Sequence, residues 1–174
     1  MGNVASPDTL RLRWAEMEND PSLRNLPYKI ELNAWGKVEM SPASYAHGRA
    51  QGHLIAELSK QLDGGVALGE VPIVTDLGIR VPDVAWASDS YTAAVGAVSP
   101  LPRAPEICIE IVSPSNTDDE MREKTRAYLA AGAKEVWLVS EECFIRYFDA
   151  IGQKASSDFP VSIPALPTAP GFAS

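Results

Sequence analysis

The run Ile107-Cys108-Ile109-Glu110-Ile111-Val112 is an apolar stretch of strand length with an acid in its interior. An unpaired carboxylate in such a strand is expensive to bury, so the fold must bring Glu110 a partner. A second acid, Asp83, closes Val81-Pro82-Asp83, and Lys124 follows on a segment with helical patterning. An acid at the end of one strand, an acid on the next and a lysine nearby can hold a divalent metal and position a water. That is the equipment of a metal-dependent phosphodiester nuclease.

A chain of 174 residues predicts a single domain over 1–174, with a core at about 9–160 and a Pro-rich tail at 160–174. At 45% hydrophobic and 22% charged residues, a packed core is expected. The longest apolar stretches fall far short of a membrane span, and no charged, apolar, cleavable leader opens the sequence, so neither a membrane protein nor a secreted one is expected. Cys108 and Cys143 form no CxxC pair and read as reduced core thiols of a cytoplasmic protein. Met1-Gly2-Asn3-Val4-Ala5-Ser6 fits the bare N-myristoylation pattern, which is short and weakly specific. His47 and His53 are six apart, which is not helical ligand spacing and argues against a zinc site. The net charge of −8 is unlike the basic footprint of most nucleic-acid binders. DNA contact then requires a local patch, for which Arg49, Lys60, Arg122, Lys124 and Arg126 are the candidates; for most of them a solvated helix face is the plainer reading.

Along the chain, Ser6 as cap, Pro7, and Leu10, Trp14 and Met17 predict a helix over 6–19. Tyr28–Leu32 and Lys37–Met40 flank a turn with Gly36 and read as a hairpin. A second helix spans about 45–62, with Ala50, Leu54, Ile55, Leu58 and Leu62 on one face. Strands follow near 66–70 and 71–75, and another continues past Asp83 through Trp86. Residues 88–105, rich in Ser, Ala, Gly and Pro, read as a long loop. Thr117 and Glu120 form a capping box for a helix to Ala131, followed by strands at 135–139, 144–148 and about 154–161, then a frayed Pro-rich tail. This order predicts an α/β (α+β) domain: a mixed central β-sheet flanked by helices.

Two carboxylates on one side of neighbouring strands repel each other, and a divalent cation relieves that cost with hard oxygen ligands. The backbone carbonyl of Ile111 can complete the coordination sphere. Lys124 shares a helix face with Tyr128, four residues on, and can project toward the end of the Glu110 strand. Taken singly, each residue has an ordinary reading: Asp83 as a turn residue after Pro82, Lys124 as a surface lysine, Glu31 as a strand residue facing water, and Glu57 with His53 as a solvated pair. The spacing gains force when the members are taken together.

These residues resemble a known family. Val81-Pro82-Asp83, then Glu110-Ile111-Val112-Ser113-Pro114-Ser115, then Lys124, Tyr128, Gly132 and Glu135-Val136-Trp137-Leu138-Val139 are similar to the Uma-type restriction-endonuclease-like family of bacteria, within the PD-(D/E)xK nuclease superfamily. Tyr28-Lys29-Ile30-Glu31-Leu32, Gly36-Lys37-Val38, Ser41-Pro42-Ala43 and His47 extend the likeness to about residues 9–150. The resemblance implies a restriction-endonuclease-like core and a Mg²⁺ (or Mn²⁺) site formed by Asp83, Glu110 and the carbonyl of Ile111, with Glu31 auxiliary. The superfamily's usual lysine, two residues after the second acid, is here Val112; the resemblance implies that Lys124 takes its place from the following helix. It further implies DNA as the nucleic-acid partner, a 5′-phosphate product, and a homodimer. The alternative is an inactive nuclease-like binding module of a mobile-element or defence system, which Val112 and the acidic charge favour. A metal-free hydrolase using Asp83 and Glu110 as an acid/base pair is a third, weaker reading.

Overall fold

Capping side chains start the helices where the sequence places them. In the computed structural model, which describes residues 4–23, 26–42 and 44–166, the Ser6 hydroxyl accepts the Thr9 N–H and begins α1 (Pro7–Glu18). Ser44 does the same for α2 (Tyr45–Gln61), Ser88 for α3 (Asp89–Val95) and Thr117 for α4 (Asp118–Ala130). Glu120 gives half a capping box: its N–H donates to Thr117, while its carboxylate accepts from the Asn116 side chain. The strands are β1 (Tyr28–Asn33), β2 (Val38–Pro42), β3 (Gly65–Gly69), β4 (Ile73–Thr75), β5 (Gly78–Arg80), β6 (Val84–Ser88), β7 (Ile107–Val112), β8 (Glu135–Ser140), β9 (Ile145–Phe148) and β10 (Gln153–Lys154).

These strands form two sheets rather than one. Four make an antiparallel sheet in the order β2-β1-β5-β4, and six make a mixed sheet in the order β10-β9-β8-β7-β6-β3. Only β7 and β8 pair in parallel, and α4 is the crossover helix that such a pair requires. The chain changes sheets at Val81-Pro82-Asp83. Pro82 has no N–H with which to continue a ladder, so Asp83 stands at the entry to β6 instead of closing a strand. Gly78 makes the approach possible. It has a φ of +108°, and a Cβ there would lie 2.1 Å from the Leu32 carbonyl oxygen.

Side chains alternate across β7, and its two faces meet different helices. Ile107, Ile109 and Ile111 pack with Ala50, Leu54 and Leu58 of α2, and with Trp137 and Val139 of β8. Cys108 points the other way, to Tyr91 of α3 and Tyr128 of α4. Leu10, Trp14 and Met17 of α1 cover the four-stranded sheet through Leu32, Ile79 and Val81.

Two segments differ from the sequence expectation. Residues 88–105 contain α3 and are tied down: Tyr91 is buried and donates its hydroxyl to the Arg103 carbonyl at 2.6 Å, while Leu101 bridges to Ile73. Small-residue composition suggested a loop, but the Ser88 cap and two buried side chains override it. The strand expected over 154–161 is reduced to Gln153–Lys154, because the Asp158 and Phe159 N–H groups turn to the Glu135 and Ser157 side chains and Pro160 has no N–H to offer a ladder. The following residues to 166 are nevertheless docked, with Phe159, Val161, Ile163 and Leu166 against the α2 core and Gln61 bonding the Ser162 backbone at 2.9 Å in both directions. Residues 167–174 and the Met1-Gly2-Asn3 end of the myristoylation pattern lie outside the described residues. Among the described residues, no helix is long and apolar enough to cross a membrane.

Glu135, 1% exposed at the start of β8, anchors that C-terminal segment. It accepts from Trp137 Nε1 (2.8 Å), Lys154 Nζ (2.8 Å), Ser157 Oγ (2.6 Å) and the Asp158 N–H (2.7 Å). Burial alone would raise its pKa; the Asp158, Lys154 and Ser157 contacts outweigh it and leave the group below the usual carboxylate range. A depressed native pKa contributes stability above the unfolded value, and that stability is lost as the pH falls through the native one. E135Q is therefore expected to destabilise the fold by about 1–3 kcal/mol at neutral pH, and by progressively less on acidification, measured by urea unfolding across a pH series.

Candidate functional site

Four elements of the fold, β1, β7, α4 and α2, deliver side chains to the crossing between the sheets. Lys29 and Glu31 lie two apart on β1 and share a face of the four-stranded sheet. Glu110 comes from β7 of the other sheet, on the face that α4 covers. Lys124 and Tyr128 are four apart on α4 and meet it there. His47 and Gln51 are likewise four apart on α2 and address Asp83.

Each carboxylate oxygen has partners. Asp83 Oδ2 accepts the Ile111 N–H at 2.7 Å, while Oδ1 lies 2.7 Å from Lys29 Nζ and 3.2 Å from His47 Nε2. Gln51 Nε2 donates to the Asp83 backbone carbonyl at 2.8 Å. Glu110 Oε1 accepts from the Tyr128 hydroxyl at 2.6 Å and faces Lys124 Nζ at 3.3 Å; Oε2 lies 3.3 Å from Lys29 Nζ. Glu31 accepts the Val81 N–H at 2.8 Å through Oε1, and its Oε2 stands 3.1 Å from Lys124 and 3.4 Å from Arg80. The side chains of Asp83, Glu110 and Glu31 are all buried.

The electrostatics follow from that burial. Desolvation pushes Asp83 up, but the His47 and Lys29 contacts outweigh it and hold the group well below the carboxylate range. Glu110 moves the opposite way: complete burial, with Asp83 and Glu31 close by, raises it despite the two lysines. Burial lowers both Lys29 and Lys124, yet the surrounding carboxylates more than reverse this, so both remain protonated. The hydrogen bond to Asp83 raises His47.

Asp83, Glu110 and Lys124 are thus brought together, along with the Ile111 backbone. Glu31 is also close, but its oxygens hold Lys124, Arg80 and the Val81 amide and do not turn toward Asp83. The sequence reading missed Lys29 as a site residue and gave no site role to His47 or to Tyr128, although it placed Tyr128 on the Lys124 face of the helix. The alternation of Lys29 with Glu31 on an otherwise ordinary strand was the available signal, and it is weak. The proposed basic patch does not form as a unit: Lys124 is turned inward, and Arg122 and Arg126 pair with Asp119 and Asp76.

Asp83 and Glu110 face a cleft of about 370 Å³, bounded by Lys29, His47, Ser115 and Lys124. A larger groove of about 620 Å³ lies apart from them, between α4 and the β9–β10 turn, with Met121, Leu129, Leu138 and Phe148 in its walls. Among the described residues, no group of three or more His, Cys, Asp or Glu forms a ready-made metal cage. Asp83 Oδ1 and Glu110 Oε2 do converge on one cation, the Lys29 ammonium. Two hard oxygens aimed at one positive charge beside an open cleft fit magnesium, which takes one or two carboxylates and keeps several waters.

Removing one partner from a buried ion pair costs more than the pair contributes, because the other charge is left unpaired. K124M is expected to destabilise the protein by about 3 kcal/mol, with E110Q recovering part of that loss in the double variant. Urea unfolding of the four proteins of this cycle measures both terms.

No curated protein matches the chain. A solved structure, that of a putative nuclease belonging to DUF820 from Anabaena variabilis, superposes with a TM-score of 0.55 at 18% identity, covering 66% of this chain and 68% of that one. At that identity the likeness speaks for the fold. The Uma2 family, described as "Putative restriction endonuclease", matches residues 14–163. Its match takes in both sheets, α2, α4 and each of the buried acids, and the chain belongs to that family.

Proposed function

We propose that the chain is a Mg²⁺- or Mn²⁺-dependent endonuclease that hydrolyses phosphodiester bonds in DNA. The observation that carries this reading is the convergence of Asp83 and Glu110, both buried, on a single cation position at the floor of an open cleft. Asp83, Glu110 and the carbonyl of Ile111 would hold the ion. In a strand, the N–H and C=O of one residue point to the same side, and the Ile111 N–H faces Asp83. When bound there, a metal would supply a water of lowered pKa and neutralise charge on the phosphate.

The chain's own residues do the rest. Tyr128 fixes one oxygen of Glu110, and the Ile111 amide, His47 and Gln51 fix Asp83. Glu31 and Glu110 together hold the Lys124 ammonium in place and protonated, able to donate to the attacking water or to a phosphoryl oxygen. Glu31 acts here as a positioning residue. Cys108 and Cys143, both buried and unpaired, support a cytoplasmic setting. A duplex has two strands and each chain one such site, so we take the DNA-bound form to be a homodimer; sedimentation of the complex is expected to give two chains per duplex.

One observation favours the alternative of an inactive binding module. Lys29, Lys124 and Arg80 already balance the three acids, so the cluster needs no metal for stability. Nicking of supercoiled plasmid separates the readings. With Mg²⁺ or Mn²⁺, wild type is expected to cleave, and D83N, E110Q and K124M to fall by about a hundredfold or more while still giving cooperative melts. Absence of both cleavage and metal-dependent thermal stabilisation in wild type would overturn the nuclease reading and favour the binding module.

A further inference from the structure

The carboxylates that would take a metal already have a cation between them, and it belongs to the chain. Lys29 Nζ lies 2.7 Å from Asp83 Oδ1 and 3.3 Å from Glu110 Oε2, with its side chain 12% exposed. Magnesium requires its ligand oxygens at roughly 2.0–2.1 Å. An ion bound to both oxygens would overlap the space held by the ammonium and repel its charge. The two cations are therefore mutually exclusive at this position. Lys124 does not share this conflict, because it lies against the other oxygen of Glu110 and against Glu31.

Lys29 also has somewhere to go. Lys29 lines both the cleft of Asp83 and Glu110 and a second cleft of about 210 Å³, to which Trp14, Tyr28 and Glu70 also contribute. A lysine stem turns on four flexible carbons. Rotation about them would carry the ammonium away from Asp83 into that second cleft, which exposed Glu70 also lines.

We propose that Lys29 is a built-in competitor for the divalent metal: it occupies the metal position in the metal-free chain, and its withdrawal sets how tightly the site binds the ion. This inference rests on the reading of Asp83 and Glu110 as metal ligands. It also accounts for the neutral, stable cluster that otherwise favours an inactive module. A protein with this arrangement holds metal weakly and loads it when the ion is plentiful, or when a nucleic-acid phosphate helps to bind the ion.

The test is metal affinity, read without catalysis. Free Mn²⁺ is counted by electron paramagnetic resonance during titration of wild type, K29Q, K29M, K29R and D83N. K29Q and K29M are expected to bind about tenfold tighter or more, because a unit charge in contact with the site has been removed. K29R keeps the charge and is expected to stay within about threefold of wild type. D83N is expected to lose the site. Two neutral variants guard against one failing to fold, and a cooperative thermal melt qualifies each. Equal affinity in wild type and the neutral variants overturns the competitor role and leaves the metal site standing. Binding in none of the proteins, or equal binding in D83N, overturns the metal site itself and the competitor role with it.

Discussion

Asp83, Glu110 and Glu31 are carboxylates placed where water scarcely reaches, at the crossing between two sheets, and a fold can keep them there only by bringing cations to them. Lys29, Lys124 and Arg80 meet that demand from β1, α4 and β5 respectively. Much of the architecture reads as the means of delivery. The β7–α4–β8 crossover sets the Lys124 face of α4 over Glu110. Gly78 lets β5 lie against β1, which brings Arg80 and the Val81 amide to Glu31. Pro82 then releases the chain into the second sheet, so that Asp83 arrives beside Ile111.

Three of the four described helices, α1, α2 and α4, were legible because their signals are local: a capping Ser or Thr, then apolar residues at spacings of three and four. The sheets were less so. A strand's own residues tell that it is buried, but not which neighbour buries it, and nothing short-range marks Val81-Pro82-Asp83 as a passage between two sheets. Residues 88–105 were misread because composition outvoted a single capping serine and a buried tyrosine. In the C-terminal segment the strand expected over 154–161 shrinks to Gln153–Lys154, and the alternating Phe159, Val161 and Ile163 dock a stretch whose prolines read as frayed.

The candidate site divides along the same line. Glu110 announced itself as an acid in an apolar strand, and Lys124 and Tyr128 as two members of one helix face. Lys29 gave no such sign, since a lysine on a hairpin strand is ordinary until the opposite sheet is in place. Val112, where the resemblance leads one to expect a lysine, becomes intelligible in this setting: cations reach Glu110 from the helix and from the other sheet, and the strand itself need not carry one.

The ion pairs at the crossing add a second tie where the chain itself passes from one sheet to the other through Val81-Pro82-Asp83. Lys29 belongs to one sheet, and the acids it meets are at the entry to β6 and on β7 of the other. The same charges that could do chemistry are thus a rivet between two plates. Evolution cannot adjust the reactivity of this centre without also adjusting how firmly the plates are joined. A lineage that abandoned catalysis would still be selected to keep the rivet, and would go on looking like an enzyme.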